Sequence, residues 1–198
     1  MRSKLQLSKH PIRFVKDLLS DYDRATLLEV GVYCHHPQMI ADFRENTDLR
    51  LSDLSDDWLK LVLSQLRNGH ELAFHSTVQF SGQKKHIPMV DLGGRHDEFK
   101  NLPVLREFCR YWGMDFAVYA SGRSFHLYGN RLLSDPDWVR FMGGLLLLNI
   151  PGKSRLIDTR WVGHRLQGGS SALRWSNNSG FYKAYPKFVE TLSSLIGP

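Results

Sequence analysis

Two aspartates, a serine–histidine pair and a run of arginines are the side chains here best suited to handling phosphate. Asp91 ends the apolar stretch Ile87-Pro88-Met89-Val90 and is followed by Leu92-Gly93-Gly94. A carboxylate at a strand end beside two glycines can receive a metal ion or let a phosphate approach, although Asp and Gly are also ordinary turn formers. Ser121-Gly122-Arg123-Ser124-Phe125-His126 combines a bend, a guanidinium, a hydroxyl and an imidazole. Ser124 and His126 stand two apart, so on a strand they face the same side. With nearby backbone amides they make a cradle for a polyphosphate; a strand with one satisfied histidine is the plainer reading. Asp158 closes Leu156-Ile157 inside the most basic part of the chain. It is either an ion-pair partner for those cations or a second carboxylate for Mg²⁺ or Mn²⁺ beside bound phosphates.

The elements that position these groups are read from period and punctuation. A short helix is predicted over 11–19, with Ile12, Val15, Leu18 and Leu19 on one face, then a strand over 26–33. Pro37 suits the first turn of a helix carrying Met39, Ile40 and Phe43. Ser55 is a good N-cap for a helix with Leu59, Val62, Leu63 and Leu66 on its buried stripe, ending near Gly69. Residues 71–80 and 86–92 read as two strands joined by a hairpin loop over 81–85. A helix over 103–112 follows, then strands over 115–120 and 125–128. Ser134 caps a further helix, with Asp137 in the place of a capping-box Glu. Short strands near 155–158 and 172–176 complete a sheet, and Pro186 opens a terminal helix. Helices and strands alternate without a regular βαβ rhythm, which predicts an α+β fold with a mixed sheet flanked by helices. The 198 residues read as one compact domain, with an N-terminal lobe over 1–85 and a motif-bearing lobe over 86–198.

Charge is concentrated in the same region. The chain has 26 Lys and Arg against 20 Asp and Glu, a net +6. Between 151 and 187 lie Lys153, Arg155, Arg160, Arg165, Arg174, Lys183 and Lys187 against Asp158 alone, so this segment carries the whole excess. Trp161, Trp175, Phe181, Tyr182 and Tyr185 are interleaved with those cations. Cations bind phosphates and aromatic faces stack on bases, so the mixture suits nucleic acid or nucleotide; a solvated basic face over core aromatics is the bland alternative. No apolar run approaches the roughly 20 residues that a membrane-spanning helix needs. Cys34 and Cys109 make no disulfide framework, which points to reduced thiols and a cytoplasmic protein.

The three motifs, in this order, resemble the archaeo-eukaryotic primase superfamily, which includes primase-polymerases. That family carries an Asp-x-Asp or Asp-x-Glu strand motif, a Ser-x-His motif and a later lone Asp. Asp91 matches the first acid, Ser124-Phe125-His126 the middle motif, close to the family's SGRGFH form, and Asp158 the last. Leu173-Arg174-Trp175-Ser176 followed by Lys183 is similar to the family's late basic element. The resemblance runs from about His86 to Lys183 and implies a primase-polymerase core with an RRM-like half. It implies a nucleotidyltransferase with Asp91, Asp158 and His126 as catalytic residues, and with Asp91 and Asp158 holding Mg²⁺ or Mn²⁺. Arg123, Ser124, His126, Arg174, Ser176 and Lys183 would then take the NTP or dNTP, and Arg160, Arg165 and Trp161 the template. Protein partners are implied as well, since the chain carries no helicase or zinc-binding element.

One departure bears on activity. Asp91-Leu92-Gly93 has glycine where the family has its second acid. Residues i and i+2 of a strand share a face, so the missing carboxylate would have served the same metal site. Asp97 and Glu98 are near in sequence, but recruiting either needs a fold-back. The alternative reading is therefore a catalytically impaired module that still binds nucleotides or single strands within a larger complex. Other chemistries fit less well. His75-Ser76-Thr77 is a single element where two-histidine phosphoesterases need two, Cys34-His35-His36 lacks a companion pair at zinc spacing, and no Walker or dinucleotide fingerprint occurs.

Overall fold

The computed structural model describes residues 4–36, 38–41, 43–93, 103–182 and 184–194. The chain opens with α1 (Pro11–Leu18), β1 (Leu27–Cys34), β2 (Glu45–Arg50) and α2 (Asp56–Gln65). β3 (His70–Phe80), β4 (Gln83–His86), β5 (Met89–Asp91), α3 (Pro103–Trp112), β6 (Phe116–Ala120), β7 (Phe125–Gly129), β8 (Leu133–Ser134) and α4 (Asp135–Leu146) follow. The chain then forms α5 (Thr159–Gly168), β9 (Ala172–Arg174) and β10 (Lys187–Leu192). The fold is α+β, and every pairing between these strands is antiparallel.

The strands form two sheets. The first has the order β2-β1-β3-β4-β8, with β9 also beside β3; the second has the order β10-β6-β7-β5. Long β3 makes this possible, because its early residues pair with β9 and its last ones with β4. The second sheet alternates strictly. Val90, Phe116, Phe125 and Leu127 enter one core with α3 and α4, while Met89, Ala117, Tyr119 and Tyr128 enter the other with Phe74 and Trp175 of the first sheet. Period two thus gives the second sheet one face toward helices and one toward its neighbour. Trp161 of α5 packs against both cores.

Several local expectations hold. α3 spans 103–112, Ser55 caps α2 by accepting the Trp58 N–H (3.1 Å), and Ser134 caps α4 by accepting the Asp137 N–H (3.3 Å). Others are corrected. The loop expected over 81–85 is a two-residue turn, Ser81 (φ 49°) and Gly82 (φ 72°), with the positive φ that tight hairpins require. The single strand expected over 86–92 is two strands in different sheets. Pro88 has no N–H for a ladder and divides β4 from β5. The described residues of 38–44 form no helix, and Ile40 and Phe43 are exposed; Pro37 lies outside the described residues. The expected terminal helix is strand β10, which takes the free edge of β6 from Lys187↔Ala120 to Leu192↔Phe116. Instead of a strand at 155–158 there is a single bridge between Leu92 and Ile157.

Candidate functional site

β5 and β7 pair so that Asp91 stands directly across from His126. Met89 and Tyr128, two residues away on the same strands, enter the core between the sheets, so the pleat turns Asp91 and His126 to that side. His126 Nε2 lies 3.9 Å from Asp91 Oδ1, and the Asp91 side chain keeps 26% of its surface open. His126 is buried, and its Nδ1 has no hydrogen-bond partner among the described residues. Burial, and after it the Arg174 charge, holds its imidazole well below the ordinary range, so it is neutral at pH 7. Its approach to Asp91 is therefore not an ion pair. Asp91 moves the other way. Burial and then the Asp158 carboxylate push its pKa up to about 7, against the pull of Arg174.

Asp158 reaches this place through backbone stitching. The Gly93 N–H donates to the Leu156 carbonyl (2.8 Å) and the Asp158 N–H to the Asp91 carbonyl (3.3 Å), around the Leu92–Ile157 bridge. A Cβ on Gly93 would stand 3.4 Å from the Asp158 nitrogen. The position of the missing acid therefore lies flush against the backbone that delivers Asp158. Asp158 is also the N-cap of α5, its Oδ1 accepting the N–H groups of Arg160 (2.9 Å) and Trp161 (3.2 Å). That role is ordinary for an aspartate at a helix start. α5 itself was not legible in the sequence: its only buried side chains are Val162 and Arg165, which is too faint an apolar stripe.

The cations are divided between the cleft and the frame. Arg123 is exposed, follows Gly122 (φ 117°), and borders the cleft with Ser124. Arg174 also borders it, but it is buried and donates to the carbonyls of Ser176, Ser121 and Ala184, the last at 3.2 Å. Its guanidinium lies 4.0 Å from the Tyr182 ring centroid. Arg165 lines the cleft buried, and burial lowers its pKa to about 10. Arg160 is exposed and donates to the Met39 carbonyl (2.7 Å). Trp161 gives its indole N–H to the Ala172 carbonyl (2.9 Å). Ser176 does not border the cleft. It is fully buried, donates to Glu71 and accepts the Leu72 N–H (2.7 Å). Lys183, Asp97 and Glu98 lie outside the described residues.

These groups converge on one cleft of about 1340 Å³ between the two sheets, which Asp91, Ser124, His126, Asp158 and five arginines line together. The fifth arginine, Arg44, was not anticipated; it sits 4.2 Å from the Tyr33 ring centroid. Glu71 was also missed. Fully buried, its carboxylate accepts the N–H groups of Asn178 (3.0 Å) and Ser179 (2.7 Å) and the Ser179 hydroxyl (2.6 Å), fixing the loop that leads to Phe181. A lone acid beside β-forming residues gives no sequence signal for such a clasp. Among the described residues, no three His, Cys, Asp or Glu side chains gather as a metal-ion cluster.

A family model described as archaeo-eukaryotic primase 1D-like matches residues 50–187. No curated protein and no solved structure matches the chain. The matched span holds every site residue expected from the sequence, leaves Arg44 outside, and begins within β2.

Proposed function

The chain belongs to the archaeo-eukaryotic primase superfamily, and from that premise we propose that its cleft binds a nucleoside triphosphate beside a nucleic-acid strand, as a primase-like nucleotidyltransferase. The observation that carries this reading is the meeting of Asp91, His126 and Asp158, from three separate segments, in one arginine-lined cleft. Two carboxylates, with Asp158 near enough to raise the proton affinity of Asp91, beside an imidazole with an unpartnered buried nitrogen, suit a cation. They suit one divalent ion, Mg²⁺ or Mn²⁺, held by Asp91 and Asp158. With Gly93 in the place of a third acid, the donor set does not fit two. Such an ion, when bound, would neutralise phosphate charge and polarise the phosphoryl oxygens.

The remaining work falls to the chain itself. Arg123 offers an exposed guanidinium, and Ser124 a hydroxyl, to the triphosphate. Neutral His126 can donate one hydrogen bond to a phosphate oxygen without adding charge. Arg160 and Arg165 line the side where a template backbone would run. Arg174 supports binding indirectly, by holding Ser121 and the segment around Ser176 in place. The chain would act in the cytoplasm with protein partners, as a single domain.

A second reading, a module that binds nucleotide or single strands without synthesis, is favoured by one specific observation: glycine stands at 93 where the third acid would be, and among the described residues no three metal-ligating side chains gather there. Primer extension with Mn²⁺ and dNTPs separates the two. Metal-dependent synthesis, lost in Asp91→Ala and Asp158→Ala, is expected of the first. Oligonucleotide binding without any synthesis would establish the second.

A further inference from the structure

The cleft has an aromatic mouth as well as a charged floor. Phe181 leaves 53% of its surface exposed and meets the edge of the His35 ring, with centroids 5.3 Å apart at 71°. Tyr182 lies 6.1 Å from the same imidazole. Phe43, 75% exposed, borders the same cleft. The segments carrying these rings are anchored: Glu71 clasps the backbone at 178 and 179, and Arg160 holds the Met39 carbonyl. Burial first, and then the Arg123 and His36 charges, pushes His35 below the ordinary histidine range, so it presents an uncharged ring next to Arg123. Trp161, which the resemblance assigns to the template, also borders the cleft, with its indole N–H bonded to β9 and its ring packed against both cores.

We propose that Phe181 and His35 form a stacking platform for an unpaired nucleobase whose phosphates lie toward Arg123. This deepens the nucleotide-binding reading above and rests on it. Base–aromatic stacking tolerates any base, because every base has a π-face, and it works best where cations track the adjoining phosphates. The mouth meets both conditions, with ring surface at Phe181, His35 and Phe43 and exposed guanidinium groups at Arg123 and Arg160. An apolar peptide would cover the rings but leave those charges unanswered. The base could belong to a bound nucleotide or to an unpaired strand, since the chemistry is common to both.

The test is fluorescence anisotropy with a labelled oligothymidylate and an abasic strand of equal length, with ATP and inorganic tripolyphosphate as competitors. Phe181→Ala is expected to weaken oligothymidylate binding by roughly tenfold and to leave the abasic strand unaffected. Phe181→Trp should restore affinity, His35→Ala should repeat the loss, and Arg123→Ala should weaken both strands. If Phe181→Ala also removes the advantage of ATP over tripolyphosphate, the base is the nucleotide's; if only the strand responds, it is the strand's. Equal oligothymidylate affinity in wild type and Phe181→Ala, or equal loss for both strands, would overturn the platform while leaving nucleotide binding intact. A wild-type protein that binds neither strand nor tripolyphosphate would overturn the nucleotide-binding reading, and the platform with it.

Discussion

At pH 7 the Asp91 carboxyl is about half protonated, because burial and Asp158 raise its pKa to about 7. An unfolded aspartate titrates near 3.8. Between about 4 and about 7 the folded chain therefore binds more protons than the unfolded one, and this group lowers stability as pH rises through that window. Asp91→Asn should thus raise Tm over wild type at pH 8 in chelator-treated buffer, and the gain should vanish by pH 4, as read by thermal denaturation. Arg174 illustrates the opposite lesson. Its sequence neighbours suggest a phosphate ligand, yet its donors serve three carbonyls in two separate segments. Arg174→Ala should cost roughly 3 kcal/mol in urea unfolding, since each buried carbonyl left bare costs about 1–3 kcal/mol. Residue types and spacing were enough to single out Asp91, Ser124, His126 and Asp158, which line one cleft. They were not enough to tell a guanidinium aimed at solvent from one spent on the frame, because one of its partners, the Ser121 carbonyl, lies some fifty positions away.

Among the elements, α5 joins a helix cap and a cleft carboxylate in one side chain, Asp158. Asp158→Ala removes both the cap, worth about 1 kcal/mol, and a carboxylate from the cleft. Asp158→Ser keeps a capping hydroxyl and loses only the charge. The Ser variant should recover most of the stability lost by the Ala variant, in chemical denaturation, without recovering divalent-cation binding. His10 sets another test at the start of α1. Its Nδ1 accepts the Ile12 N–H (3.2 Å), its Nε2 donates to the Trp175 carbonyl (2.9 Å), and burial lowers its pKa to about 4. Its contribution is complete above about 6.5, and it is lost as pH falls toward 4, where the unfolded chain binds the extra proton. His10→Asn, which keeps a capping acceptor, should flatten that acid limb of a Tm-versus-pH curve. Elements with a strong apolar stripe, α3 above all, were legible from period alone. β10 was not, because its residues are nearly all exposed and its identity comes from the vacant edge of β6. Likewise Pro88 marks a break, but nothing local says that the chain changes sheets there.

For the molecule as a whole, the basic segment over 151–187 is divided: Arg160, Arg165 and Arg174 line the cleft, while Lys153, Arg155 and Lys187 are exposed outside it. Arg165 and Arg174 are buried, and Trp175 lies in the core beneath Phe74. Of the cleft's arginines, Arg123 and Arg160 are the exposed ones. Binding of a single strand should accordingly show a shallow salt dependence, with a log–log slope of about −1.4 for two neutralised phosphates. Anisotropy titrations across salt concentration would measure it, and a much steeper slope would place the interface outside the cleft. Sequence order foretold that the three motifs would meet; what it could not foretell is that they meet between two sheets, one of which borrows β8 and β9 from late in the chain. The most direct test of that meeting is Mn²⁺ binding, followed by electron paramagnetic resonance with ATP present, in wild type, Asp91→Asn and Asp158→Ser. A single tight ion in wild type, lost in both variants while each stays folded, is the predicted result. Unchanged Mn²⁺ binding across all three proteins would contradict the account.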